Sequence, residues 1–148
     1  PATPFVYGFL GAVNLFHGRV QDQQLQIGAD HLPLGDSSFQ HGAEALGFVR
    51  PHELDIDTDL ADRTGIVARV ERVLALGATA RIELTGVSDG AHHPYEVELS
   101  RERAAALNLN PGQIVRLKPA RMRLFAPDAP TSSLPGGNNM VGIDGEGI

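Results

Sequence analysis

Three stretches of the chain alternate apolar and polar residues with a period of two, and this pattern constrains the fold more than anything else in the sequence. Ile66, Ala68 and Val70 alternate with Val67, Arg69 and Glu71; Ala80, Ile82 and Leu84 alternate with Arg81 and Glu83; Tyr95, Val97 and Leu99 alternate with Glu96 and Glu98. Successive side chains of an extended strand point to opposite faces, so each stretch is a strand with one buried and one wet face. Leu76-Gly77-Ala78 and Asp89-Gly90 supply the turns between them. With 17 glycines and 10 prolines in 148 residues, turns are frequent and long helices disfavoured.

An earlier β unit is read from Arg19-Val20, a polar turn at Gln21 to Gln23, and Leu25 with Ile27, which together suggest a hairpin. Residues 28–45 read as loop-rich. Residues 46–56 then form an apolar strand that runs into Arg50-Pro51 and resumes at Leu54 and Ile56. Proline lacks a backbone donor and restricts the residue before it, so Arg50-Pro51 marks a strand edge or corner. That places Arg50 as a fixed cation where the sheet turns, with Glu53 close behind.

Residues 57–64 are polar and acidic and read as a connector. Ser100 is positioned to cap a short helix through Leu107. Asn110-Pro111-Gly112 turns the chain into a strand at Gln113 to Lys118, Pro119 ends it, and Arg121 to Phe125 gives a last strand. Residues 126–148 are rich in Pro, Gly, Ser and Asn and read as a tail. The chain lacks an initiating Met and starts in mid-pattern, which reads as a piece of something longer. Two β units of similar size fit a pair of small barrels.

Most site chemistry is excluded by what is missing. A phosphate-binding loop needs a glycine-rich turn ending in lysine, but Lys118, the only lysine, is flanked by Leu117 and Pro119. Asp55, Asp57 and Asp59 have the spacing that opens a calcium loop, yet Leu60 and Ile66 stand where glycine and glutamate are required. The simpler pattern is Leu54 and Ile56 in the core with the aspartates facing water. The histidines (His17, His31, His41, His52, His92 and His93) show no metal-ligand spacing on a helix, and no G-x-S-x-G elbow occurs. The absence of cysteine rules out a disulfide framework and thiolate ligation. A net charge of −6 and the absence of Trp argue against a nucleic-acid groove built on stacking aromatics.

One charge feature stands apart. From Arg101 to Arg123 there are six cations and one acid, Glu102. Arg116 and Lys118 should share one strand face, and Arg121 and Arg123 one face of the next strand. Such a patch can hold an oxyanion, dock on an acidic partner surface, or be a solvated face.

Four segments resemble one family. Pro1-Ala-Thr-Pro-Phe-Val-Tyr-Gly-Phe-Leu-Gly-Ala-Val-Asn14 resembles the junction where an ABC importer's ATPase domain ends and its regulatory domain begins. Phe48-Val-Arg-Pro-His-Glu-Leu54 resembles the family's R-P-E strand, with His52 inserted between Pro51 and Glu53. Residues 65–86 and 110–125 resemble the halves of the TOBE module. The match covers about residues 1–125 and is most similar to the C-terminal regulatory domain of sulfate/thiosulfate importer ATPase subunits.

The resemblance implies a mostly β fold of two small OB-like barrel subdomains with one short helix. Residues 1–14 would be the junction, 15–58 the first subdomain, 64–125 the second and 126–148 the tail. It implies no catalytic, cofactor or metal residues in this chain, with ATP and Mg bound by the ATPase domain of the parent. It further implies a cytoplasmic homodimer at the inner face of the membrane, in contact with its own ATPase domain, a second copy and the permease subunits. Arg50, Pro51 and Glu53 would form a structural corner. Arg116, Lys118, Arg121 and Arg123 would be the candidate patch for docking or for a sulfate-type oxyanion, since some relatives bind molybdate-type oxyanions in this module. No nucleic acid is implied.

Overall fold

In a computed structural model, which describes residues 12–35, 37–88, 92–127 and 141–142, the chain is mostly β. The first five strands are β1 (Asn14–Gln21), β2 (Gln24–Ile27), β3 (Asp30–Pro33), β4 (Glu44–Val49) and β5 (Leu54–Asp57), with one 3-10 turn, Pro51–Glu53, between the last two. Then come β6 (Ile66–Leu76), β7 (Thr79–Gly86), β8 (Pro94–Ser100), helix α1 (Arg101–Leu107), β9 (Ile114–Pro119), β10 (Arg123–Phe125) and β11 (Val141–Gly142).

The alternating stretches become β6, β7 and β8, with Ala68, Val70, Ala80, Ile82, Leu84, Val97 and Leu99 buried. Ser100 caps α1 as expected, its hydroxyl accepting the Arg103 N–H at 3.0 Å. The β1–β2 hairpin closes through Asp22 and Gln23, both in the left-handed region with φ of 50° and 61°. The stretch read as loop-rich contains β3, which is only four residues long and carries Asp30 at a buried position. The Asp89-Gly90 turn and most of the opening segment and tail fall outside the described residues; within the tail, Val141–Gly142 pairs with β10.

The strands form a six-stranded sheet, β11-β10-β4-β1-β2-β3, and a five-stranded sheet, β5-β9-β6-β7-β8. The two contain the same motif. In the first, β1 pairs with β2 and β4, β2 with β3, and β4 with a fifth strand. In the second, β6 pairs with β7 and β9, β7 with β8, and β9 with a fifth strand. The fifth strands are exchanged. β5 follows β4 in the chain but pairs with β9, while β10 follows β9 but pairs with β4. The division between the sheets therefore does not coincide with residues 58–64 of the chain.

One hydrophobic cluster runs through both OB-like units, from Phe16, Leu25 and Leu32 through Leu54, Ile56 and Ile82 to Leu117 and Leu124. Each fully buried side chain of this size contributes about 1.5–3 kcal/mol. Met122, fully buried between β9 and β10, fits because Gly47 has no side chain: a Cβ there would lie 2.5 Å from the Met122 sulfur.

Polar contacts between the units repeat the exchange. Asn14, at the start of β1, is 2% exposed. Its amide donates to the Glu96 carbonyl at 2.8 Å and to the Val49 carbonyl at 3.2 Å, and its oxygen accepts the Glu96 N–H at 2.8 Å. One side chain thus behaves toward β8 as a residue of a neighbouring strand. At the matching place in the other unit, just before and within β6, Gly65 N–H donates to the His31 carbonyl at 3.0 Å and Val67 N–H to Asp30 Oδ2 at 3.1 Å.

Asn14→Ala removes the partner of a part-buried N–H and carbonyl of Glu96 and of the buried Val49 carbonyl and leaves a void, so it should lower stability by about 2–3 kcal/mol. Urea unfolding checks this, and an unchanged midpoint would mean that the link is dispensable.

Candidate functional site

The predicted corner lies where the chain leaves one sheet for the other. Arg50 is extended, with φ −75° and ψ 157°, as a residue before proline must be, and Pro51 opens the 3-10 turn. Arg50 N–H donates to Glu53 Oε1 at 3.0 Å, and Glu53 N–H returns to the Arg50 carbonyl at 2.9 Å. Glu53 also reaches the second crossover, between β9 and β10. Its carbonyl accepts the Ala120 N–H at 2.8 Å, and Arg123 Nη1 lies 3.4 Å from both of its carboxylate oxygens. The side chains of Glu53 and Arg123 are 11% and 18% exposed, so little solvent screens the pair. The Glu53 carboxylate, and not the Arg50 cation expected there, occupies the centre of the corner, and Arg50 joins through its backbone.

The four candidate cations do not all lie on one element. Arg116 and Lys118 share the outer face of β9, as alternation requires. Arg121 precedes β10 instead of lying on it, and Arg123 begins that strand in the other sheet. Arg116 Nη1 donates to the Gly65 carbonyl at 3.2 Å and lies 3.9 Å from Asp30 Oδ1, with Asp30 almost fully buried. Lys118 Nζ sits between Asp57 Oδ2 at 2.8 Å and Asp62 Oδ2 at 2.5 Å. Three of the four cations thus already face carboxylates, and any anion arriving there competes with a tethered one.

The connector before β6 is organised by its own aspartates. Asp57 accepts the Asp59 N–H at 2.9 Å, Asp59 the Ala61 N–H at 3.0 Å, and Asp62 the Thr64 N–H at 3.1 Å. These are local turns in which a side chain substitutes for a backbone acceptor. Leu54 and Ile56 are buried beside them, as the alternation indicated. The charge that neutralises this acidic stretch is an internal lysine. Among the described residues no group of three or more His, Asp or Glu side chains is placed to hold a metal ion.

Hydrogen bonds from Lys118 hold both Asp57 and Asp62 below the ordinary carboxylate range, and those bonds to Asp57 and Asp62 raise the Lys118 ammonium above its own. The carboxylates' contribution is present above their unfolded values, about pH 4, and is lost as pH falls through the depressed folded values. The lysine's contribution is complete below about pH 10.4 and is lost as pH rises through the elevated folded value. Lys118→Met should therefore lower the urea midpoint by a nearly constant amount between about pH 5 and pH 9, with the gap to wild type closing at both extremes. A gap that persists unchanged at about pH 2 would show that packing, not charge, is responsible.

Asn14 and Asp30, the polar residues that join the units, were not among the predicted site residues. The signal was present: each lies two positions from a buried apolar residue, Phe16 and Leu32, on the inward face of its strand.

Comparison with known proteins follows the two halves of the chain. Residues 14–56 match the family described as the CysA C-terminal regulatory domain, and residues 61–120 match that of a TOBE-like domain. The sulfate/thiosulfate import ATP-binding protein CysA of Nitrosomonas europaea is 37% identical over 134 residues, covering 90% of this chain and 37% of the relative. That of Ralstonia nicotianae is 40% identical over 132 residues, covering 85% of this chain and 35% of the relative. The chain thus spans about a third of the length of these relatives. A solved structure of the cytoplasmic molybdate-binding protein ModG, in a form with molybdate bound, matches with a TM-score of 0.56. It covers 70% of this chain and 87% of that one at 17% identity, a likeness of fold.

Proposed function

We propose that this chain, whose residues 14–56 match the CysA C-terminal regulatory domain family and residues 61–120 the TOBE-like family, is a regulatory and dimerisation domain. Its parent is the ATP-binding subunit of a sulfate/thiosulfate ABC importer, which couples ATP hydrolysis to import. The observation that carries this is 35–40% identity over most of the chain to several proteins of that name, the match covering 35–37% of each relative's length.

The residues support a division of labour. Nucleotide and Mg belong to the parent's P-loop domain. The lysine that such a cradle needs is not available among the described residues, because the chain's only lysine is held between Asp57 and Asp62. What this chain offers is a stiff body. With each unit's fifth strand built into the other, the units cannot part without breaking two ladders and opening a shared core. Such a body transmits a displacement instead of absorbing it, which suits a domain that sets how two ATPase domains approach each other. Its partners are its own ATPase domain, a second copy and, through the parent, the permease subunits. Its place is the cytoplasmic side of the membrane. Among the described residues no helix is long and apolar enough to cross a membrane.

Deleting residues 12–127 from the parent should leave nucleotide binding in place while weakening self-association roughly tenfold or more, measured by sedimentation. Undiminished self-association would remove the dimerisation role, and a parent without a P-loop domain would remove the importer assignment.

A second reading, direct sensing of a sulfate- or molybdate-type oxyanion, draws on the fold shared with a protein solved with molybdate bound. The engaged state of Arg116, Lys118 and Arg123 weighs against a site among them. Titration calorimetry with sulfate, thiosulfate and molybdate should give heats no larger than chloride controls. Saturable binding lost in Arg121→Ala or Arg116→Ala would favour the sensor.

A further inference from the structure

The β6–β7 hairpin extends past the sheet that supports it. β9 accompanies β6 only as far as Arg69, and Gln113 and Gly112 take the Val70 N–H and carbonyl. From Arg72 to Leu76, β6 has β7 on one side and, among the described residues, no ladder partner on the other. A bulge at Glu71 shifts the register there, so that Val73 and Ala75 face the same side as Ile82 and Ala80.

This edge lacks the usual protection. Exposed strand edges are normally blunted by lysine, proline or inward charge, and Val73-Leu74-Ala75-Leu76 has none of these. Among the described residues, four large apolar side chains are more than a third exposed, and Val73 at 40% and Leu76 at 46% are two of them. Nor is the arm loose. Arg101 Nη1 donates to the Gly77 carbonyl at 2.8 Å and Arg101 N–H to the Ala78 carbonyl at 3.1 Å, which ties the hairpin tip to α1.

We propose that this edge is the surface on which two copies of the chain pair, β6 against β6, antiparallel about Leu74. The hairpin fixes the register. Leu76 and Thr79 close a two-residue loop and so exchange hydrogen bonds; by alternation Arg72 and Leu74 also bond toward β7. Val73 and Ala75 then direct their N–H and carbonyl groups to the free edge. With Leu74 opposite Leu74 of the second copy, Val73 meets Ala75 in both directions and all four outward residues are satisfied. Leu74 and Leu76 of the two copies gather on one face, and Val73 and Ala75 on the other. Arg72 falls opposite Leu76, so no like charges meet. A second copy is the occupant that fits, because the edge is complementary to itself in both hydrogen bonding and apolar pattern, with its only charges at one end. The proposal rests on the homodimer reading above and specifies its surface.

The chain has no cysteine, so single-cysteine variants report the register cleanly. Across a non-hydrogen-bonded antiparallel pair the Cα atoms lie about 4.5 Å apart, within disulfide range. In the chain, Leu74→Cys should form a covalent dimer on mild oxidation, and Leu76→Cys should not. Leu74→Lys should raise the dimer Kd roughly tenfold or more by sedimentation, with urea unfolding of the isolated chain confirming that the barrel is intact. Ala75→Pro, which removes one outward N–H without touching the β7 ladder, should act in the same direction. A dimer that survives Leu74→Lys, together with a Leu74→Cys variant that stays unlinked, overturns this surface and keeps the homodimer reading. A monomer at every concentration, in both chain and parent, overturns both.

Discussion

The crossing of two short segments at Glu53 is the constraint on which the rest of the structure depends. Each half of the chain builds four strands of a five-stranded motif and receives the fifth from the other half. Both segments that carry out the exchange, 50–53 and 119–122, pass through the same place, and Glu53 bonds to both through its carboxylate and its carbonyl. A mostly buried carboxylate with an arginine and a backbone N–H to receive is well satisfied; the same group without Arg123 is a buried charge with a large desolvation cost. The ion pair therefore does more to specify how the crossovers sit than to add stability. The hydrophobic cluster, continuous across both units, supplies the stability.

Exchange also accounts for the polar residues in the interior. Because each first strand starts against the third strand of the other unit, its leading backbone groups meet a neighbour outside its own sheet. Asn14 bridges one such meeting with a side-chain amide, which has one donor and one acceptor arm like a peptide group. Asp30 bridges the other through its carboxylate, which then draws Arg116 as its counter-charge. Buried polar groups are retained where the backbone would otherwise go unpaired, and they fix which unit docks on which.

Local features were legible in the sequence, and long-range ones were not. Strands β6 to β8 follow from period-two alternation, α1 from Ser100, and the corner from Arg50-Pro51. β3 escaped because four residues beginning with Asp and ending with Pro carry too little alternation to register. The exchange escaped for a deeper reason. Leu54 and Ile56 bury the same face whether they complete their own unit or the other, so periodicity is silent on which sheet a strand joins. The partners of the charge run are equally silent in the sequence. Arg116, Lys118 and Arg123 cluster in sequence, but the acids that engage Lys118 lie 61 and 56 residues away and that of Arg123 lies 70 away. A run of like charges on strands states only which faces they occupy, and the fold decides what those faces meet.

A body interlocked in this way can signal only through its outer surfaces. Opening the units relative to each other would separate β5 from β9 and β10 from β4 and expose the shared core, a cost close to that of unfolding. A ligand or partner whose differential binding is worth a few kcal/mol cannot supply that. In the proposed role, regulation therefore acts on how whole domains are placed against one another and not on the conformation inside any one of them. The features that remain available for such placement are those that the core does not consume: loops, charged strand faces and the unpaired end of β6. Among these the β6 edge differs in kind, because its backbone groups and its apolar side chains both lack partners among the described residues, and a rigid support holds them where a partner can meet them.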